Sequence, residues 1–163
     1  MMHEADSQIY NITQARPDVI VVPVGVGSLA QSVVTHYKSQ GHPCTIIAVE
    51  PKSANYLQMS LRSDTLTSVS TEDTIMCGLN CGTVSSIAWP ILQKGVDVSV
   101  CVTDAEAHES LLQLNECQAV IGPCAAATLA ALKKVVGGPG LDKNAIVLLL
   151  GTEGIRDYDV PTL

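Results

Sequence analysis

Val19-Ile-Val-Val-Pro-Val-Gly-Val-Gly-Ser28 leaves this chain few ways to fold. Five of the six residues from Val19 to Val24 are β-branched, which suits a strand buried on both faces. Gly25 and Gly27 can take positive φ and let the backbone approach another group closely. Ser28 is a good N-cap, and Leu29-Ala-Gln-Ser-Val-Val-Thr-His-Tyr37 continues as a helix. Free amides at such a turn, with a helix dipole behind them, form an anion cradle. Gly25, Val26, Gly27 and Ser28 are therefore candidate phosphate-binding residues. An ordinary strand-to-helix turn, with glycine present for steric reasons alone, is the alternative reading.

The same alternation continues along the chain. A helix from about Glu4 to Ala15 stops before Pro17, and Asp18–Pro23 is the first strand. The helix after the glycine turn ends near Gln40, before Gly41. Cys44–Val49 is the second strand, and Ser53 is placed to cap a helix reaching about Arg62. Residues 63–72 are a Ser/Thr/Asp-rich loop, and Thr74–Gly82 is apolar but broken by two glycines. Val84–Lys94 reads as a helix despite Pro90, and Val96–Val102 as the third strand. Thr103-Asp-Ala-Glu106 is a capping box opening a helix to about Glu116. Val120–Cys124 reads as a turn, Ala125–Val136 as an alanine-rich helix, Gly137–Gly140 as a breaker, and Ala145–Leu150 as the fourth strand. Residues 151–158 form a loop.

Strands alternating with helices predict an α/β fold: a parallel sheet of about four strands with right-handed crossovers and helices on both faces. Residues 1–163 are read as one domain, without internal repeats. A core rich in Val, Ile, Leu and Ala agrees, because there is no Phe and the only aromatics besides histidine are Trp89, Tyr10, Tyr37, Tyr56 and Tyr158. Ligands of such sheets gather at the carboxyl ends of the strands. Three loops with small or polar residues leave those ends: Gly25–Ser28, Thr103–Glu106 and Gly151–Gly154.

A net charge of −7 with no basic stripe argues against nucleic acid and anionic membrane partners. No apolar run is long enough to span a membrane, and the acidic start Met-Met-His-Glu-Ala-Asp has no apolar signal core, so a cytoplasmic location is expected. The six cysteines, Cys44, Cys77, Cys81, Cys101, Cys117 and Cys124, read as reduced thiols. Cys77-x-x-x-Cys81 lacks a second close pair or a suitably spaced histidine, so no metal site is expected. His36 and His108 on helices, and His42 in a turn, read as surface residues, since none has triad-like spacing. Asp104 and Glu106 read as helix caps. Cys124 reads as a buried structural thiol, with nucleophilic use as the alternative.

Four segments together resemble one family: Pro23-Val-Gly-Val-Gly-Ser-Leu-Ala30, Ala48-Val-Glu-Pro51, Thr74-Ile-Met-Cys-Gly-Leu-Asn-Cys-Gly82 and Leu148-Leu-Leu-Gly-Thr-Glu-Gly154. Their order and spacing resemble the C-terminal half of fold-type-II pyridoxal-phosphate enzymes, the tryptophan-synthase-β and threonine-dehydratase superfamily, with the ammonia-lyases nearest. The resemblance implies that the amides of Gly25, Val26, Gly27 and Ser28 hold the phosphate of pyridoxal 5′-phosphate. It implies that Gly78 passes near the cofactor, and that the loop at Gly151 and Thr152 meets its pyridine nitrogen. Gly151 stands where the family usually has serine, leaving Thr152 as the hydroxyl. Glu153 then falls beside the ring, with a solvated loop acid as the alternative.

The family's Schiff-base lysine belongs to an N-terminal region that these residues do not match, so no catalytic residue is assigned. Lys38, Lys52, Lys94, Lys133, Lys134 and Lys143 read as surface charges. The resemblance also implies a small amino acid as substrate and a homodimer, or a partner chain that supplies the missing region. The expected function is an ammonia-lyase-like protein that is inactive alone; the alternative is a repurposed small-molecule-binding or catalytic domain using the same cleft without the cofactor.

Overall fold

The computed structural model describes residues 1–41, 43–136 and 142–161. His42 and the Gly137–Gly140 breaker lie outside the described residues. Four parallel strands, β1 (Val19–Pro23), β2 (Thr45–Pro51), β3 (Val98–Val102) and β4 (Val147–Leu149), form one sheet in the order β3-β2-β1-β4. The helices are α1 (Met2–Thr13), α2 (Ser28–Lys38), α3 (Tyr56–Ser63), α4 (Trp89–Gly95), α5 (Asp104–Glu116) and α6 (Pro123–Val135). The predicted parallel α/β architecture is thus present.

The period of two along β1 and β2 explains why helices cover both faces. Ile20, Val22, Ile46 and Ala48 point into one core with Val33, Val34 and Tyr37 of α2, Tyr56 and Leu57 of α3, and Leu92 of α4. Val19, Val21, Ile47 and Val49 point into the other, with Ala107 of α5 and Ala127, Ala130 and Ala131 of α6. The small residues of α6 let that helix lie close to the sheet.

The amino ends of the strands are laced by two aspartates. Asp97 accepts the Ile46 N–H at 2.7 Å and its own N–H donates to the Ile46 carbonyl at 3.0 Å. Asp18 repeats the arrangement one strand away, accepting the Ile146 N–H at 2.8 Å while its N–H donates to the Ile146 carbonyl at 2.8 Å.

Several boundaries differ from the sequence expectation, each for a local reason. The Val84–Lys94 helix begins only at Trp89, which places Pro90 in the first turn, where its missing N–H has no intrahelical role. Val96 closes that helix through its N–H to Leu92, so β3 starts at Val98 rather than Val96. β4 is shorter than Ala145–Leu150 and pairs only with β1. Residues 123–124, expected in a turn, open α6 with Gly122 as its N-cap. Thr103 and Glu106 form the expected capping box on α5.

The start of α3 is the most informative departure. Ser53 lies in a short 3-10 turn and caps nothing; the N-cap is Asn55, whose side chain makes no capping bond. Glu50, fully buried at the end of β2, instead accepts the Leu57 N–H at 2.7 Å and the Gln58 N–H at 2.8 Å. A carboxylate satisfies two orphan donors at the positive end of the helix dipole. Burial pushes the Glu50 carboxyl up to about 7, and the two N–H donors pull it in the opposite direction.

Candidate functional site

The strand order identifies the carboxyl end that matters. From β1 the chain moves outward through β2 to β3, then returns to the other side of β1 for β4. The order reverses between β1 and β4, and the crevice above such a switch point is where open parallel sheets bind ligands. A cleft of about 400 Å³ lies there, lined by the β1 turn from Pro23 to Leu29, by Gly78 and Leu79, and by Cys124, Thr152 and Glu153.

The glycine turn is shaped from behind by protein. Gly27 has φ 98° and is the N-cap of α2; Ser28, expected in that role, is the first helical residue and makes no capping bond. A Cβ on Gly27 would meet Ala88, Leu92 and Val84 at 3.1–3.2 Å, in a backbone conformation that L side chains rarely adopt. A Cβ on Gly25 would lie 2.8 Å from the Gly78 carbonyl oxygen. Both glycines are therefore required by neighbouring protein, irrespective of any ligand.

Tyr56 fixes the other side of the turn. Its buried hydroxyl lies 2.8 Å from the Gly25 carbonyl, 3.0 Å from that of Val24 and 3.1 Å from that of Leu79, so one proton is shared among three acceptors. Burial, and then the Glu50 charge, raise its pKa and keep it a donor. Glu50 holds α3, and α3 carries Tyr56, so a buried acid supports the turn at one remove.

Among the described residues, no protein acceptor takes the backbone N–H of Gly25, Val26, Gly27, Ser28 or Leu29. Five orphan donors at a helix N-terminus, lining a cleft, form the kind of arrangement that can take an anion.

The structure brings Gly25, Val26, Gly27, Ser28, Gly78 and Thr152 around one cleft. Gly151 is not among the lining residues; it abuts α6, where a Cβ would stand 3.1 Å from that of Ala125. Glu153 is half-buried and engaged rather than free: its Oε2 accepts the Cys124 N–H at 2.6 Å, the Cys124 thiol donates to Oε1 at 3.2 Å, and Arg156 pairs with it at 3.3 Å. It caps α6 and fastens the last loop to that helix. Cys124 is buried, and burial followed by the Glu153 carboxylate pushes its thiol up to about 12, which makes it a poor nucleophile.

No lysine lines this cleft among the described residues. Lys38 pairs with Asp97, Lys134 with Glu106, and Lys133 donates to Ser110. Lys52 lines a separate cleft above β2 and β3 with Ser53, Asp73, Thr103 and Asp104. Of the three strand-end loops, Thr103–Glu106 thus borders that cleft and not the one at the glycine turn. His108 and His36 are not simply surface residues: the first contacts the Tyr158 hydroxyl at 2.8 Å through Nδ1, and the second contacts Asp6 at 2.6 Å. No described helix is long and apolar enough to cross a membrane.

Fold and turn together define an α/β domain with unengaged backbone donors in a cleft at the sheet's switch point. The chain belongs to the family described as pyridoxal-phosphate dependent enzymes, whose sequence model matches residues 2–152. It is 29% identical over 177 aligned residues to a diaminopropionate ammonia-lyase of Salmonella typhimurium, covering 96% of this chain and 44% of that protein. It is 28% identical to an L-threo-3-hydroxyaspartate ammonia-lyase of Saccharomyces cerevisiae, covering 86% of this chain and 44% of the relative. The structure of maize serine racemase superposes with TM-score 0.84 at 21% identity, covering 94% of this chain and 49% of that one, a likeness of fold. The chain therefore spans about half the length of the relatives it matches.

Proposed function

We propose that this chain supplies the phosphate-holding face of a pyridoxal-phosphate site serving carbon–nitrogen lyase chemistry on a small amino acid. The observation carrying this reading is the row of orphan N–H groups from Gly25 to Leu29, at the switch point of a family whose members depend on that cofactor. The residues fit a phosphate: the unengaged donors line one cleft, no acidic side chain interrupts the β1 turn, and Glu153 is engaged by α6. Ser28 and the amides would hold the phosphate. Thr152 also lines the cleft and would bring a hydroxyl to a ring nitrogen. When bound, the cofactor would supply an electron sink for bonds at the substrate α-carbon.

Covalent attachment and proton return need an amine. With no lysine lining the cleft, this chain alone is expected to be a poor lyase. A second copy or a partner chain bearing that lysine would complete the site. The same missing amine supports a second reading, in which the cleft binds a phosphorylated small molecule without imine chemistry.

The test compares phosphate, pyridoxal phosphate and pyridoxal in a thermal-shift series on the wild type, Gly27→Val and Ser28→Asp. Phosphorylated ligands should stabilise the wild type by mass action, and pyridoxal should not. Gly27→Val should lose the response but also stability, because it clashes with the α4 side. Ser28→Asp, at an exposed helix start, should keep its fold and lose the response through charge repulsion. Equal stabilisation by pyridoxal, or a Ser28→Asp protein that responds like wild type, would overturn the cradle. Borohydride trapping of one specific lysine would overturn the claim that the amine is missing.

A further inference from the structure

Far from the cleft, α1 and α2 bring together three groups that share no sequence motif. His3 and Asp6 lie three residues apart on one side of α1, and His36 lies in the last turn of α2. One ligand atom from each falls within 4.8 Å of the others. Asp6 Oδ2 is 2.6 Å from His36 Nε2, and the His3 ring stands edge-on to the His36 ring, with centroids 4.7 Å apart.

The protons around His36 do not balance. Its Nε2 lies 2.6 Å from the Asp6 carboxylate, which requires an N–H there, and 2.7 Å from the Gln40 amide nitrogen, which requires a lone pair there. One ring nitrogen cannot do both. Turning the Gln40 amide over would set its NH2 against Arg16, which donates to Oε1 at 2.9 Å. A second sign lies beneath: the Tyr37 hydroxyl is buried beside Asp6 yet makes no hydrogen bond of ordinary geometry among the described residues.

We propose that His3, Asp6 and His36 bind one divalent cation of the zinc type and so clamp α1 onto α2. Two imidazoles and a carboxylate suit zinc, cobalt or nickel better than magnesium or calcium. The cation removes the conflict: the His36 lone pair and Asp6 both turn to the metal, and the Gln40 amide, now 3.5 Å from Asp6 Oδ2, donates to that carboxylate. The Tyr37 hydroxyl becomes a supporting donor behind the same group. Side-chain rotation suffices for closure. Half of the 4.8 Å span is about 2.4 Å, against roughly 2.0–2.2 Å for zinc bonds to nitrogen or oxygen. The clamp also has work to do, since Met2 is the only buried residue of α1.

Cobalt(II) titration of the intact chain tests this, because its visible spectrum separates imidazole–carboxylate ligation from binding by the six cysteines. The expected result is a saturable d–d absorption at one ion per chain, without a thiolate charge-transfer band, and a rise in thermal midpoint. His3→Ala removes an exposed ligand, so it should keep the metal-free midpoint and weaken binding at least about tenfold. Cys77→Ser, at an exposed thiol, should bind like wild type. No saturable spectrum, a thiolate band in the wild type, or an unaltered His3→Ala titration would overturn the proposal.

Discussion

Replacing Glu50 with glutamine asks what burial does to the acid that supports α3. The folded protein moves this carboxyl from 4.5 up to about 7, chiefly through burial. Across the interval between those values, the folded chain retains a proton that the unfolded chain has released. The group's contribution to stability is therefore complete below about pH 4.5 and is lost as pH rises through about 7. The interval corresponds to about 3 kcal/mol. Glutamine cannot titrate. It also keeps only one acceptor for the two N–H groups of Leu57 and Gln58, a fixed cost of about 1–3 kcal/mol. The fixed cost cancels when the two proteins are compared at two pH values, and only the titration remains. Urea unfolding of both proteins from roughly pH 5 to 8 should show their stability difference moving by about 2–3 kcal/mol in favour of the variant. A difference that stays flat would mean that the helix N-terminus and its two donors keep Glu50 ionised throughout, and the reasoning from burial would be refuted.

Three further outcomes are expected. Tyr56→Phe leaves the carbonyls of Val24, Gly25 and Leu79 without their shared donor, so stability measured by denaturant should fall by about 1–3 kcal/mol, with weaker phosphate stabilisation. Thr103→Ala removes half of the α5 capping box and should cost about 1 kcal/mol in the same assay, with no change in ligand response. Gly95→Ala drives a Cβ into the Val34 side chain; calorimetry should show a loss of about 1–3 kcal/mol that the double variant with Val34→Ala partly recovers.

Sequence disclosed what is local. The β1 turn, the Thr103–Glu106 capping box and the alternation of strands and helices each depend on neighbours a few residues away, and the structure contains them. Assignments that failed depend on distant partners. Glu50 reaches across seven and eight residues to the α3 amides, so Ser53 looked like the natural cap. Glu153 reaches back 29 residues to Cys124, a link that neither reading of that acid, beside a ring or solvated in a loop, contained, and that let a helix start read as a turn. His36 meets Asp6 over 30 residues, a separation that no motif spacing encodes. In the cleft, the glycine pattern was legible, but its cause was not: the constraint comes from the Gly78 carbonyl and from the side chains of Val84, Ala88 and Leu92 packed behind it.

The two aspartates at the amino ends of the strands give the sheet a direction. Asp18 and Asp97 lock the starts of neighbouring strands by side chain as well as backbone, and the residues lining the switch-point cleft lie at the other end. Fluctuations of the sheet should therefore fan open from the cleft side while the opposite margin stays closed. In amide hydrogen exchange, the N–H groups of Ile46 and Ile146 should be retained longer than those of Val24 and Leu150, whose bonds are backbone alone. A molecule entering the cleft would then find the one margin of the sheet that yields, and by binding there it would slow exchange most where the lacing is absent.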